Sequence, residues 1–186
     1  MSGPDGLPVD SLVEGTRTYR ARAAALRVPL TDPADGQRPK AMLIACSDAR
    51  LLPSLITGSG PGEVLELRTH GGLVPRFDPE QHTGEALTIE YAVATLRITD
   101  IVVLGHSLCE VVDVSAGHTR QGEALTGDFT AAGHRHVLKQ MDVLSDYPCV
   151  APRLADGSLR LHGWYHDLGT GSTVSFRPHL NSFRPL

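Results

Sequence analysis

The stretch Asp100-Ile101-Val102-Val103-Leu104-Gly105-His106-Ser107-Leu108-Cys109 reads as a buried strand that runs straight into reactive side chains. Its continuous aliphatic run, Ile101 to Leu104, fits a strand covered on both faces, as in a parallel sheet. Ala41 to Cys46 repeats the pattern and leads into Ser47-Asp48-Ala49-Arg50. Val64 to Arg68 is a further strand candidate, preceded by the turn signal Gly58-Ser59-Gly60-Pro61-Gly62.

Helices are predicted between and after these strands. Thr83 to Ile98 places Ala86, Leu87, Ile89, Ala92, Val93 and Leu96 on one face, with Thr83 as cap and Glu85 in the first turn. A second helix is expected from about His134 to Leu144, with Val137, Leu138, Met141 and Leu144 facing inward. Cys149-Val150-Ala151 then reads as a fourth strand. The tail reads as a hairpin of Ser158 to Asp167, a Gly169-Thr170-Gly171 turn, and Ser172 to Phe176. From Pro178 onward no pattern is readable. Strands alternating with helices predict an α/β fold: a parallel sheet with helices on both faces and a hairpin strand at one edge.

Upstream, Asp10 to Val28 carries Leu12, Val13, Tyr19, Ala23 and Leu26 at helical spacing, and Thr31 to Lys40 is a polar loop. Residues 1–40 are therefore expected to be a helical arm and linker, and 41–186 one α/β domain. Whether the arm packs on its own domain or on a second subunit is open.

The 186 residues suit a single domain. A net charge of −4 with no basic run argues against nucleic acid as a partner. The start of the chain has no basic segment followed by an apolar core, and every apolar run is far below the ~20 residues of a membrane span. A cytoplasmic protein without membrane partners is the expectation. Three cysteines, Cys46, Cys109 and Cys149, make an odd count that argues against a disulfide framework and for ligands or nucleophiles. Cys149 reads as a small core residue, and Trp164 and Tyr165 as sheet residues.

In an open parallel sheet, functional groups gather beyond the carboxyl ends of strands where the strand order reverses. If the first and third strands are neighbours, Cys46 meets His106 and Cys109, which are three apart and face the same way on a helical turn. Two thiolates and one imidazole suit zinc and leave a fourth position for water or a carboxylate. The bland alternative, structural cysteines and an incidental histidine, is weakened by the Asp-x-Arg that follows Cys46. A helix N-terminus near Cys109 is expected to lower its thiol pKa. Asp48 and Arg50 read either as a surface ion pair or as a fork that orients the carboxylate. An oriented carboxylate either accepts a hydrogen bond from metal-bound hydroxide or takes the fourth metal position itself.

These residues resemble the β-class carbonic anhydrases. Cys46-Ser47-Asp48-Ala49-Arg50 is similar to that family's Cys-x-Asp-x-Arg signature, and Glu90-Tyr91-Ala92-Val93 through His106-Ser107-x-Cys109 to its second block. Leu161-His162-Gly163-Trp164-Tyr165 with Thr170-Gly171 is similar to its C-terminal strand region. The resemblance implies a four-stranded parallel sheet extended by an antiparallel strand, and dimers that exchange N-terminal helices. It also implies one zinc ion per chain on Cys46, His106 and Cys109, with Asp48 and Arg50 as catalytic dyad. The implied reaction is reversible hydration of carbon dioxide by zinc-bound hydroxide.

Departures cluster at the pocket. Where the family has an Arg-Asn-Ala-Gly-Asn stretch, this chain reads Arg68-Thr69-His70-Gly71-Gly72, and Glu110 replaces the glycine after the last ligand. His70, Gly71 and Glu110 are therefore candidate pocket residues, with a plain loop histidine and a solvated first-turn glutamate as the alternatives. The segment Val111 to Ala132 is short and rich in Gly, Ser and Thr, which suggests trimmed shielding helices. A carbonic anhydrase is the leading expectation. Behind it stand a zinc hydrolase for carbonyl sulfide, carbon disulfide or a larger activated carbonyl, and a non-catalytic zinc-stabilised module.

Overall fold

Ala41–Cys46 (β1), Val64–Thr69 (β2), Asp100–His106 (β3), Arg160–His166 (β4), Thr173–Arg177 (β5) and Ser182–Pro185 (β6) form one mixed sheet. Its order is β2-β1-β3-β4-β5-β6. The computed structural model describes residues 9–26, 28, 36–115 and 129–186. β2, β1, β3 and β4 run parallel, whereas β5 and β6 are antiparallel additions at one edge.

The two long apolar runs are buried on both faces. Met42, Ile44, Ile101 and Val103 join one core cluster, and Leu43, Ala45, Val102 and Leu104 join the other. With period-two alternation, only a strand covered on both sides needs apolar residues at every position. Each fully buried aliphatic side chain contributes roughly 1.5–3 kcal/mol, so a one-residue slip of β1 against β3 has no amphipathic face to gain. Register is instead held by the ends of the strands, where polar chemistry begins.

Helices are α1 (Val9–Arg17), α2 (Tyr19–Ala25), α3 (Pro53–Thr57), α4 (Gly84–Glu90), α5 (Glu110–Ser115), α6 (Phe129–Ser145) and α7 (Ala151–Ala155). The expected arm helix is interrupted at Thr18, whose hydroxyl donates to the Glu14 and Gly15 carbonyls. α1 buries no residue, and Ala23 is the one buried residue of α2. Thr83 caps α4 as expected, accepting the Ala86 N–H at 3.2 Å. The helix then widens into a π turn over Tyr91–Thr95 and ends there, short of the expected Ile98. α6 begins five residues before the expected His134. Its buried face includes Gln140 at 2% exposure, whereas Leu138 and Met141 are half-buried.

One expectation fails at the C-terminal end, while the expected hairpin is present as antiparallel β4 and β5. Cys149-Val150-Ala151 is not a strand. The amides of Val150 and Ala151 both donate to the Tyr147 carbonyl, and Ala151 opens α7 with Pro152 in its first turn. Val150 is fully buried, so its apolar character reflects packing under the sheet. The fourth parallel strand is β4, the first arm of the expected hairpin, paired parallel to β3 from Asp100↔Arg160 to His106↔His166. The tail adds β6, whose Phe183 lies opposite Phe176 of β5.

Candidate metal centre

β1 and β3 are parallel neighbours, with Ala45 opposite Leu104, so Cys46 and His106 leave the sheet side by side. β1 also borders β2, and the chain crosses β1 on its way from β2 to β3, which places this crevice at the switch point of strand order. Cys46, His106 and Cys109 are all buried, and their ligand atoms lie within 4.8 Å of one another. The two sulfurs are 4.0 Å apart and the thiols are free. Two thiolates ~2.3 Å from one tetrahedral ion would stand about 3.8 Å apart, so the spacing fits zinc. The His106 ring bonds through Nδ1 to the Ser107 carbonyl at 2.8 Å. As a donor there, neutral imidazole keeps its lone pair on Nε2, the usual arrangement of a ligating histidine.

Cys109 reaches the cluster by a tight turn and not along a helix. Leu108 takes a left-handed conformation, φ 57°, and α5 starts only at Glu110. Amides of Val112 and Val111 point at the Cys109 sulfur, as at a helix N-terminus, yet burial outweighs them and pushes the thiol up to about 11. The expected lowering is thus reversed in the chain alone. A bound cation beside Cys109 would oppose that burial and favour its thiolate.

The loop after β1 is tied down from several sides. Arg50 donates from Nε to Asp48 Oδ1 at 3.0 Å and from Nη2 to Oδ2 at 2.6 Å, and its backbone N–H reaches Oδ1 at 2.9 Å. This fork, with burial working weakly against it, holds the Asp48 carboxyl far below the usual carboxylate range. Arg50 Nη2 also reaches the Leu108 carbonyl at 3.3 Å, which couples the two ligand-bearing turns. Arg68, at the end of β2, donates to the carbonyls of Cys46, Asp48 and Leu51. Its bracing role had one clue in the sequence, the match of Arg68 to the family pattern, but the carbonyls it braces lie 17 to 22 residues away.

His70, Gly71 and Glu110 occupy the same neighbourhood. His70 and Glu110, both exposed, line a cavity of about 130 Å³ together with Cys46, Ser47, Asp48, Cys109 and Val111. Gly71 is buried with φ 72°, and a Cβ there would lie 2.7 Å from Val111, so it sets the close approach of loop and α5 without facing the cavity. Its carbonyl accepts from His136 Nε2 of α6 at 2.8 Å, a contact no sequence pattern announced. The expectation of trimmed shielding helices falls mostly on residues 116–128, outside the described residues.

Known proteins resemble this chain in sequence and in fold. The model of the family described as carbonic anhydrase matches residues 41–128. The carbonic anhydrase of Pseudomonas aeruginosa is 38% identical over an alignment of 159 residues covering 73% of this chain and 72% of the relative. Among solved structures, that of the β-carbonic anhydrase CcaA superposes with a TM-score of 0.82 at 26% identity, covering 96% of this chain and 99% of the other. One of two tetrameric β-carbonic anhydrases of Sordaria macrospora gives a TM-score of 0.67 at 24% identity over 90% and 92%. The sheet order, the buried Cys-His-Cys cluster and these similarities together place the chain in the β-class carbonic anhydrase family.

Proposed function

We propose that this protein is a zinc-dependent carbonic anhydrase, catalysing the reversible hydration of carbon dioxide, with one zinc ion on Cys46, His106 and Cys109. The supporting observation is the convergence of exactly those side-chain types within 4.8 Å in a buried group that leaves Asp48 out. Three protein ligands with the nearby carboxylate engaged elsewhere correspond to a catalytic arrangement with one open position. Zinc, when bound, supplies Lewis acidity that ionises water near neutral pH.

The chain's own residues supply the rest. Arg50 occupies both Asp48 oxygens and keeps the carboxylate ionised, so Asp48 can only accept a hydrogen bond. It therefore orients a hydroxyl-bearing reactant, whether attacking water or bicarbonate, and selects which oxygen faces the carbon. Turning Asp48 toward Arg50 also counts against the non-catalytic reading, in which Asp48 closes the fourth position. No observation favours the larger carbonyl substrates of the hydrolase reading. Among the described residues no helix is long and apolar enough to cross a membrane, in keeping with a cytoplasmic location. α1, with Val9, Leu12 and Val13 exposed, supports a homodimer or higher homo-oligomer in which the arm, residues 1–40, packs on another subunit.

Stopped-flow hydration by zinc-loaded protein tests the proposal. A rate above buffer that rises between pH ~7 and ~9 is expected. Fully loaded protein with no such rate across that range overturns it.

A further inference from the structure

A second cavity, about 440 Å³, lies between α5, α6 and the segment after Gly72, next to the metal pocket across Val111. Its long wall is one stripe of α6: Ala132, Arg135, His136, Lys139, Gln140 and Val143, at the three- and four-residue spacing that puts side chains on a single helical face. Leu73, Val74 and Val112 add apolar lining, and Arg76 joins from the segment after β2. Among the described residues no carboxylate lines it. Arg76, Arg135 and Lys139 take part in none of the ion pairs among the described residues. Asp146, an acid that shares a neighbouring cavity with Arg76 and Phe77, forms none of those ion pairs with it.

Three unpaired cations around one cavity are unusual in a chain whose net charge is −4. They concentrate positive potential over low-dielectric walls, which attracts and holds anions. The lining is rigid: buried Gln140 accepts the Val74 N–H at 2.9 Å, and His136 is tied to Gly71. The size is that of a small-ligand pocket, apolar with a few placed polar groups.

We propose that this cavity is a binding site for a small organic anion, a phosphate or carboxylate carried on a short apolar body. The anionic group sits among Arg135, Lys139 and Arg76, and the apolar part lies on Val74, Val112 and Val143. The site is separate from the metal pocket, with Val111 lining both.

Phenyl phosphate is the probe, titrated into the full zinc-loaded chain by calorimetry and by amide chemical-shift mapping. Saturable binding with a Kd of about 0.1–1 mM is expected, with shifts centred on Val74, Val112 and Gln140. The exposed pair Arg135→Ala with Lys139→Ala should weaken it roughly tenfold or more, and added salt should weaken it in the wild type. Inorganic phosphate, lacking the apolar body, should bind about tenfold more weakly. The proposal is overturned by any of four results: no saturation up to about 10 mM, equal affinity of a melt-verified Arg135→Ala/Lys139→Ala variant, equal affinity for inorganic phosphate, or shifts confined to Cys46, Asp48 and Cys109.

Discussion

The molecule contains two Asp–Arg forks of nearly the same geometry at opposite ends of its sheet. Asp48 and Arg50 meet at 3.0 and 2.6 Å beyond the carboxyl end of β1. Asp100 and Arg160 meet at 2.7 and 2.7 Å at the amino ends of β3 and β4, where His162 Nε2 and the Thr99 hydroxyl also bond to Asp100. In both, the arginine holds the carboxyl far below the usual range. Both arginines are largely exposed, with side chains at 52% and 67%. What separates the forks is their surroundings. One lies beside the three buried candidate ligands and a cavity; the other joins neighbouring strands. An ion pair by itself therefore says nothing about function, and the pocket it borders decides.

The comparison can be broken first at the metal side. Cys46→Ala or Cys109→Ala should reduce bound zinc from about one per chain to near zero and abolish hydration. Metal analysis alongside stopped-flow measures both, and a variant that keeps zinc would remove that cysteine from the ligand set. Next come the forks themselves. Asp48→Asn should keep zinc but lower the hydration rate about 100-fold or more, while Asp100→Asn leaves the rate within about twofold and lowers Tm by a few degrees. Equal activity in the two variants would erase the distinction drawn between the forks.

Acid sharpens it further. A carboxyl whose folded-state pKa is depressed contributes stability above its unfolded value, near ~4, and loses that contribution as pH falls through the folded value. Melting curves should therefore flatten between pH ~4 and ~2 in Asp100→Asn relative to the wild type, modestly because solvent screens the arginine. The smallest effects concern the turns. Leu108→Asn, which tolerates φ 57° better, should stabilise by about 0.5–1 kcal/mol with zinc retained. Gly71→Ala should instead destabilise, since φ 72° and Val111 both oppose a Cβ there. Denaturant unfolding of the zinc-loaded variants reads both signs.

Much of the site was legible because it is local. Cys46, Asp48 and Arg50 span five residues, and His106 and Cys109 four, each placed just after an apolar run that only a buried strand explains. Four features escaped, each for a reason that lies outside its own stretch of chain. Cys149-Val150-Ala151 looked like a strand because burial under a sheet and membership in a sheet demand the same residue types. β6 escaped because a short edge strand is specified by its partner's free backbone groups. The Arg68 brace and the His136–Gly71 bond escaped because their acceptors are main-chain carbonyls, which leave no mark on composition.

The sequence alone thus determined the candidate donor set and an α/β class with a parallel core, since ligand chemistry and two-sided burial are both written in residue type. Tertiary structure decided the rest. It brought Cys46 to within 4.0 Å of Cys109 across 63 residues. It tied the Arg50 turn to the Leu108 carbonyl, and it assembled three cations from α6 and the loop after β2 around one cavity. Those outcomes depend on which strands neighbour each other and which helix face looks inward, and such pairings are settled by packing between segments far apart in the chain.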